Sequence, residues 1–95
     1  MSRELITEAS FSCGLKKYLR QHPDSDSSIE SILERLATEP FHPQLGIHQL
    51  SGRMKGLWAI EAAYDLRIVF YFGKRKPPEE AAIILVDIGT HDQVY

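Results

Sequence analysis

The stretch LRIVFYF, residues 66–72, decides the fold of this sequence. It consists of aliphatic, β-branched and aromatic residues, which favour β-strands, and Arg67 is its one charged member. Similar apolar runs occupy residues 57–62 and 81–87. Short polar stretches separate the three runs, so we predict three strands of one antiparallel sheet. Residues 73–80, which are charged and contain two prolines, are predicted to form an exposed hairpin loop between strands.

The N-terminal part of the chain has the apolar spacing of helices. Apolar side chains recur at intervals of three and four residues from position 11 to 19, and again from 29 to 36. Ser27 and Glu30 form a capping-box pattern, which predicts that the second helix starts there. Residues 3–7 are predicted to form an edge strand. The whole pattern indicates an α+β fold, with an N-terminal antiparallel helix pair packed on a small, mainly antiparallel twisted β-sheet.

The length and cysteine content suit one small domain in a reducing compartment. At 95 residues the chain has room for a single core, so we expect one domain over residues 1–95. Cys13 has no second cysteine with which to form a disulfide or a CxxC motif. Glu4 and Glu8 interrupt the apolar N-terminus, which excludes a signal peptide or a membrane span there. We therefore expect a cytoplasmic protein with no membrane partner.

The charge distribution is uneven along the chain. A net charge of -2 argues against a general polyanion-binding protein. Residues 46–76, however, carry six basic and two acidic side chains. The basic ones are Arg53, Lys55, Arg67, Lys74, Arg75 and Lys76. They form either an RNA- or phosphate-binding patch or a solvated surface of mixed charge.

Four segments resemble the RelE/ParE toxin superfamily, in particular its RelE-type, YafQ-like branch. They are PQLGIHQLSG (43–52), KGLW (55–58), YDLRIVF (64–70) and DIGTHDQVY (87–95). Their order and spacing are similar to those of the family, and the two predicted helices precede them as the family requires. The resemblance therefore covers essentially the whole chain.

The resemblance implies an endoribonuclease toxin held by a cognate antitoxin protein. Such toxins cut messenger RNA in the ribosomal A site by attack of a ribose 2′-hydroxyl on the adjacent phosphate, without a metal or cofactor. The four histidines, at positions 22, 42, 48 and 91, also lack short metal-ligand spacing. The reaction needs a proton acceptor, a proton donor and a cation that stabilises the extra charge on phosphorus.

The family motifs suggest a role for each of five residues. His91 matches a general acid, and His48 matches a base or phosphate contact. Asp65 would accept a proton or orient a histidine, Arg67 would clamp phosphate oxygens, and Tyr95 would stack on an RNA base. Each has a structural alternative: a solvated or backbone-bonded histidine, a turn aspartate, a solvent-facing arginine, and an aromatic residue at the edge of the core.

The sequence departs from the family near Glu61. The YafQ-like branch carries a histidine close to this position, and other RelE-type members carry lysine or arginine around Ala59 and Glu61. Glu61 could act as a general base, but its carboxylate would repel RNA phosphate unless Arg67 or Lys55 compensates. Two further functions remain open: a ParE-like gyrase poison that cuts no RNA, and an inactivated toxin that acts as an antitoxin-bound co-repressor.

Overall fold

The computed structural model describes residues 3–52, 55–63, 66–74 and 81–90. Two helices and five strands make up this part of the chain, with two short 3-10 turns between them. In chain order they are β1 (Glu4–Thr7), α1 (Ala9–Gln21), a turn (Pro23–Ser25), α2 (Asp26–Thr38), a turn (Pro43–Leu45), β2 (His48–Gln49), β3 (Trp58–Ala63), β4 (Leu66–Lys74) and β5 (Ala81–Gly89). The predicted strands and helices are thus all present.

The five strands form one mixed sheet in the order β1-β5-β4-β3-β2. The pairs β3–β4 and β4–β5 are antiparallel, as predicted for the three apolar runs, and β2 pairs with β3 in the same way. The edge strand predicted at residues 3–7 is present as β1, and its pairing with β5 is the one parallel pair among the described strands of this mainly antiparallel sheet. Parallel neighbours need a long crossover connection, and the helices and the other strands supply it here.

Each helix buries one apolar stripe. In α1 the buried residues include Phe11 and Tyr18, and in α2 they include Ile29 and Leu36. The predicted capping box is wrong: α2 begins at Asp26, so Ser27 lies inside the helix. The cause is the 3-10 turn that starts at Pro23, since the chain is already helical before it reaches Ser27.

The two faces of the sheet differ in what covers them. The main core lies between the helices and one face, as predicted, and joins Phe11 and Leu36 to Ile60, Ile68 and other buried residues. A smaller cluster lies on the other face, where Ala59 and Val69 are fully buried. Leu50, Leu57 and Val86 pack around this second pair. Within the described residues, no helix has the length and apolar character needed to cross a membrane.

Candidate functional site

An ion pair between Glu61 and Arg67 is the centre of the candidate site. The two residues are direct partners in the antiparallel register of β3 and β4. Arg67 Nη2 donates to Glu61 Oε1 over 2.9 Å. The side chain of Arg67 is 21% exposed and that of Glu61 is 56% exposed. The side chain of Arg67 is therefore partly sheltered, and the carboxylate that it contacts is more exposed to solvent.

The register of the strands places this pair on the face opposite the helices. Ala59 and Val69 are also direct partners, and they belong to the second cluster. Residues two positions apart on a strand share a face. Glu61 and Arg67 are each two positions from that buried pair, so they continue the same face as a polar extension. This arrangement meets the requirement that a partly buried arginine inside an apolar strand has an anionic partner.

His48 lies on the same face. It pairs with Ala59 across β2 and β3 and is half-buried. Its Nδ1 is 3.0 Å from the backbone oxygen of Gly46. A carbonyl oxygen only accepts hydrogen bonds, so Nδ1 carries the proton and Nε2 is the acceptor nitrogen of the neutral ring. The alternative of a histidine bonded to nearby backbone is thus present, and it is Nδ1 that makes this contact.

The distances along the sheet bring these three groups within reach of one ligand. The Cα atoms of His48 and Glu61 are diagonal neighbours on adjacent strands, about 7–8 Å apart. Arg67 is one strand further, at about 12 Å from His48 by the usual strand spacing. The side chains of His48 and Arg67 are long enough to approach a single phosphate group placed between them.

A short turn before β2 fixes the position of His48. His42 lies at its start and its Nδ1 accepts a hydrogen bond from the backbone amide of Gln44 over 3.1 Å. The turn ends at Gly46, which has a φ of 59°, a conformation that favours glycine. A Cβ on Gly46 would lie 3.8 Å from the Cβ of Glu61, so the turn packs directly beside the ion pair. Sequence reasoning missed His42, although a residue before proline and a glycine three positions after that proline are a turn signal.

The remaining predicted residues fall elsewhere or outside the described residues. Lys55 is exposed in the turn before β3. Lys74 ends β4, seven residues beyond Arg67, which corresponds to about 23 Å along a strand. The backbone of Lys74 is therefore distant from the ion pair along β4. The other predicted site residues lie outside the described residues: Arg53, Asp65, Arg75, Lys76, His91 and Tyr95.

Comparison with known proteins identifies the fold. No protein-family model and no curated protein sequence matches the chain. Solved structures match it over nearly their whole length. YafQ from E. coli strain BL21(DE3) has a TM-score of 0.79 at 16% identity, covering 98% of both chains. A metal-bound toxin from Helicobacter pylori has a TM-score of 0.76 at 26% identity, covering 100% of both.

The chain has the fold of the RelE superfamily. A third match is the E. coli DinJ-YafQ toxin-antitoxin complex, with a TM-score of 0.76 at 15% identity over 100% of this chain and 99% of the matched one. These matches confirm the resemblance to RelE/YafQ-type toxins found in the sequence. In the part of this RelE-like chain that the structure describes, no group of three or more His, Cys, Asp or Glu side chains could hold a metal ion.

Proposed function

We propose that this protein is the toxin of a type II toxin-antitoxin pair and cuts messenger RNA on the ribosome, in the cytoplasm, without a metal or cofactor. The fold it shares with YafQ supports the toxin assignment. The solved DinJ-YafQ complex supports a cognate antitoxin as its protein partner. The candidate site supports the chemistry: an arginine that binds an oxyanion, with a histidine acceptor on the same face of the sheet.

The observation that carries the proposal is the contact between Arg67 and Glu61. A guanidinium binds carboxylate and phosphate through the same fork of N–H groups. Arg67 already binds one oxyanion at 2.9 Å on a face that is open to solvent beside Glu61. An RNA phosphate in its place would receive the same hydrogen bonds. The guanidinium would then stabilise the additional negative charge that develops on phosphorus.

The same contact compensates for the departure from the family at Glu61. A free carboxylate beside the scissile phosphate would repel it. Paired with Arg67, the carboxylate is largely neutralised and holds the guanidinium in position. One of its oxygens, Oε1, already accepts from Arg67, so Glu61 is the weaker of the two candidates for general base. We assign it the role of positioning Arg67.

His48 is the stronger candidate for the general base. Its Nδ1–H donates to Gly46, which fixes the ring and leaves Nε2 able to take the proton of a 2′-hydroxyl. The proposal assigns the opposite proton transfer, to the leaving 5′-oxygen, to His91. Asp65 would orient a histidine and Tyr95 would stack on a base. Together these groups meet the needs of metal-free cleavage.

Mapping of RNA 5′ ends after induction in a bacterial host tests the proposal. We expect growth arrest together with discrete cuts in translated messages, and rescue when the antitoxin is expressed as well. His91→Ala should fold, as judged by circular dichroism, but should neither arrest growth nor cut. Growth arrest without RNA cuts would contradict the nuclease and favour a gyrase poison. No arrest at all, with DNA binding by the antitoxin complex, would favour an inactive co-repressor.

A further inference from the structure

A small polar cleft adjoins the candidate site on the side of α2. It has a volume of about 240 Å³ and lies between α2 and the 3-10 turn that precedes His48. Its lining residues are Ser31, Ile32, Arg35, Gln44, Leu45 and Glu61. Glu61 thus belongs both to this cleft and to the ion pair with Arg67.

The lining combines an apolar surface with hydrogen-bonding groups. Leu45 is buried and Ile32 is half-buried, and they form the apolar part of the lining. Ser31 provides a hydroxyl, and Gln44 provides an amide with both donors and an acceptor. The cleft is smaller than the roughly 300–1,000 Å³ typical of sites for drug-sized ligands. It therefore suits one planar polar ring rather than a larger molecule.

Arg35 adds a guanidinium at the rim of the cleft. Its Nη1 is 3.5 Å from Glu39 Oε1, one helical turn further along α2, and its side chain is 44% exposed. An exposed ion pair of this kind contributes little to stability, so it does not commit Arg35 to Glu39. The planar guanidinium can stack on a nucleobase, as arginines do in single-stranded RNA recognition.

Hydrogen bonds within the turn hold the backbone of Gln44. The backbone amide of Gln44 donates to His42 Nδ1, and the amide of Gly46 donates to the oxygen of Pro43 over 3.3 Å. The amide side chain is therefore presented from a fixed backbone, which lowers the entropic cost of binding.

We propose that this cleft receives a nucleobase of the RNA strand that is cut, beside the scissile phosphate, and that Gln44 and Arg35 set the base preference there. The inference rests on the proposed function. Glu61 connects the cleft with the proposed phosphate site. It lines the cleft, and its carboxylate contacts the guanidinium of Arg67 that would hold the phosphate. A base next to a phosphate held by Arg67 would enter the cleft past Glu61, the residue that the two sites share.

The test compares the sequences around the cut sites of several variants in induced cells. Gln44→Ala removes the amide and keeps the backbone hydrogen bond to His42. Arg35→Lys keeps the charge beside Glu39 but removes the planar stacking group. Arg20→Ala is the matched control, since it removes an exposed arginine of α1 that does not line the cleft. Circular dichroism establishes that each variant is folded, and Arg35→Lys remains informative if Gln44→Ala is not.

We expect wild type and Arg20→Ala to share one base preference at a position next to the cut. Gln44→Ala should weaken that preference by about three- to tenfold, the range expected for loss of one or two hydrogen bonds. Arg35→Lys should weaken it in the same direction. Cutting with an unchanged preference in both variants, or with no preference in wild type, would overturn the base site alone. Absence of cuts in wild type would overturn the proposed function and the base site with it.

Discussion

The carboxylate of Glu61 and the guanidinium of Arg67 lie 2.9 Å apart as direct partners across two antiparallel strands. This face continues from the buried pair Ala59 and Val69, where an unpaired charge would be unfavourable. Together Glu61 and Arg67 form a polar contact that a ligand with an anionic group can open by exchange. This exchange would give the proposed reaction its phosphate-binding group.

Replacement of Arg67 should abolish most of the cleavage activity. Arg67→Ala removes the cation proposed to stabilise the charge on phosphorus, so we expect the cleavage rate to fall by about 10²–10³. Arg67→Lys keeps the charge but loses the forked geometry, and it should give an intermediate rate. The rates are measured on programmed ribosomes under single-turnover conditions. The proposed role would be wrong if Arg67→Ala cut as fast as wild type.

Replacement of Glu61 distinguishes its two possible roles, positioning of Arg67 and acceptance of a proton. Glu61→Gln can still accept a hydrogen bond from Arg67 but carries no charge that repels phosphate. We therefore expect tighter RNA binding and a cleavage rate within about tenfold of wild type. Loss of a general base would instead lower the rate by about 10²–10⁴. RNA affinity is measured by filter binding, and the cleavage rate is measured under single-turnover conditions. A cleavage rate lower by about 10²–10⁴ would identify Glu61 as the general base.

His48 is tested by a substitution that keeps its backbone contact. The side-chain amide nitrogen of His48→Asn can replace Nδ1 as donor to Gly46 but offers nothing in place of Nε2. We expect unchanged thermal stability and a cleavage rate lower by about 10²–10⁴. His42→Asn is the matched control, because His42 caps the turn through its own Nδ1 and has no assigned catalytic role. Full activity in His48→Asn would exclude His48 as the base.

Gly14 should be required for the packing of α1 on β5. A Cβ at this position would lie 2.6 Å from the backbone oxygen of Ile88. Backbone cannot move aside cheaply, so Gly14→Ala should lower the free energy of unfolding by about 1–3 kcal/mol. For a domain of this size each kcal/mol lowers Tm by about 4–8 °C. Ser12→Ala, at an exposed position of the same helix, should leave Tm nearly unchanged. Equal Tm values for wild type and Gly14→Ala would contradict this prediction, because they would mean that α1 and β5 accommodate the added Cβ without cost.

The positions of the helices and strands could be predicted because their residue patterns are local. The run at residues 66–72 became β4, and the spacing of apolar residues placed both helices. The parallel pairing of β1 with β5 depends on which strands meet after folding, so no local pattern shows it. The same holds for the shift in register between Val69 and Phe70, where β4 pairs irregularly with β5.

The candidate site could be predicted only in part, for a similar reason. An arginine inside an apolar strand indicates that an anionic partner is needed, and the sequence offered Arg67 as compensation for Glu61. Whether they meet depends on register, since a slip of one residue would turn one of them to the other face. The roles of His42 and Gln44 depend on a turn that brings them beside β3. His91, Asp65 and Tyr95 stay predictions.

The parallel contact between β1 and β5 also bears on when this protein acquires its shape. Glu4 pairs with Ala82, residues near opposite ends of the sequence. Closing so long a loop has a high entropic cost and slows folding. During translation, β1 has no neighbour in the sheet until β5 has left the ribosome. A nascent copy therefore cannot complete its sheet before β5 has been synthesised.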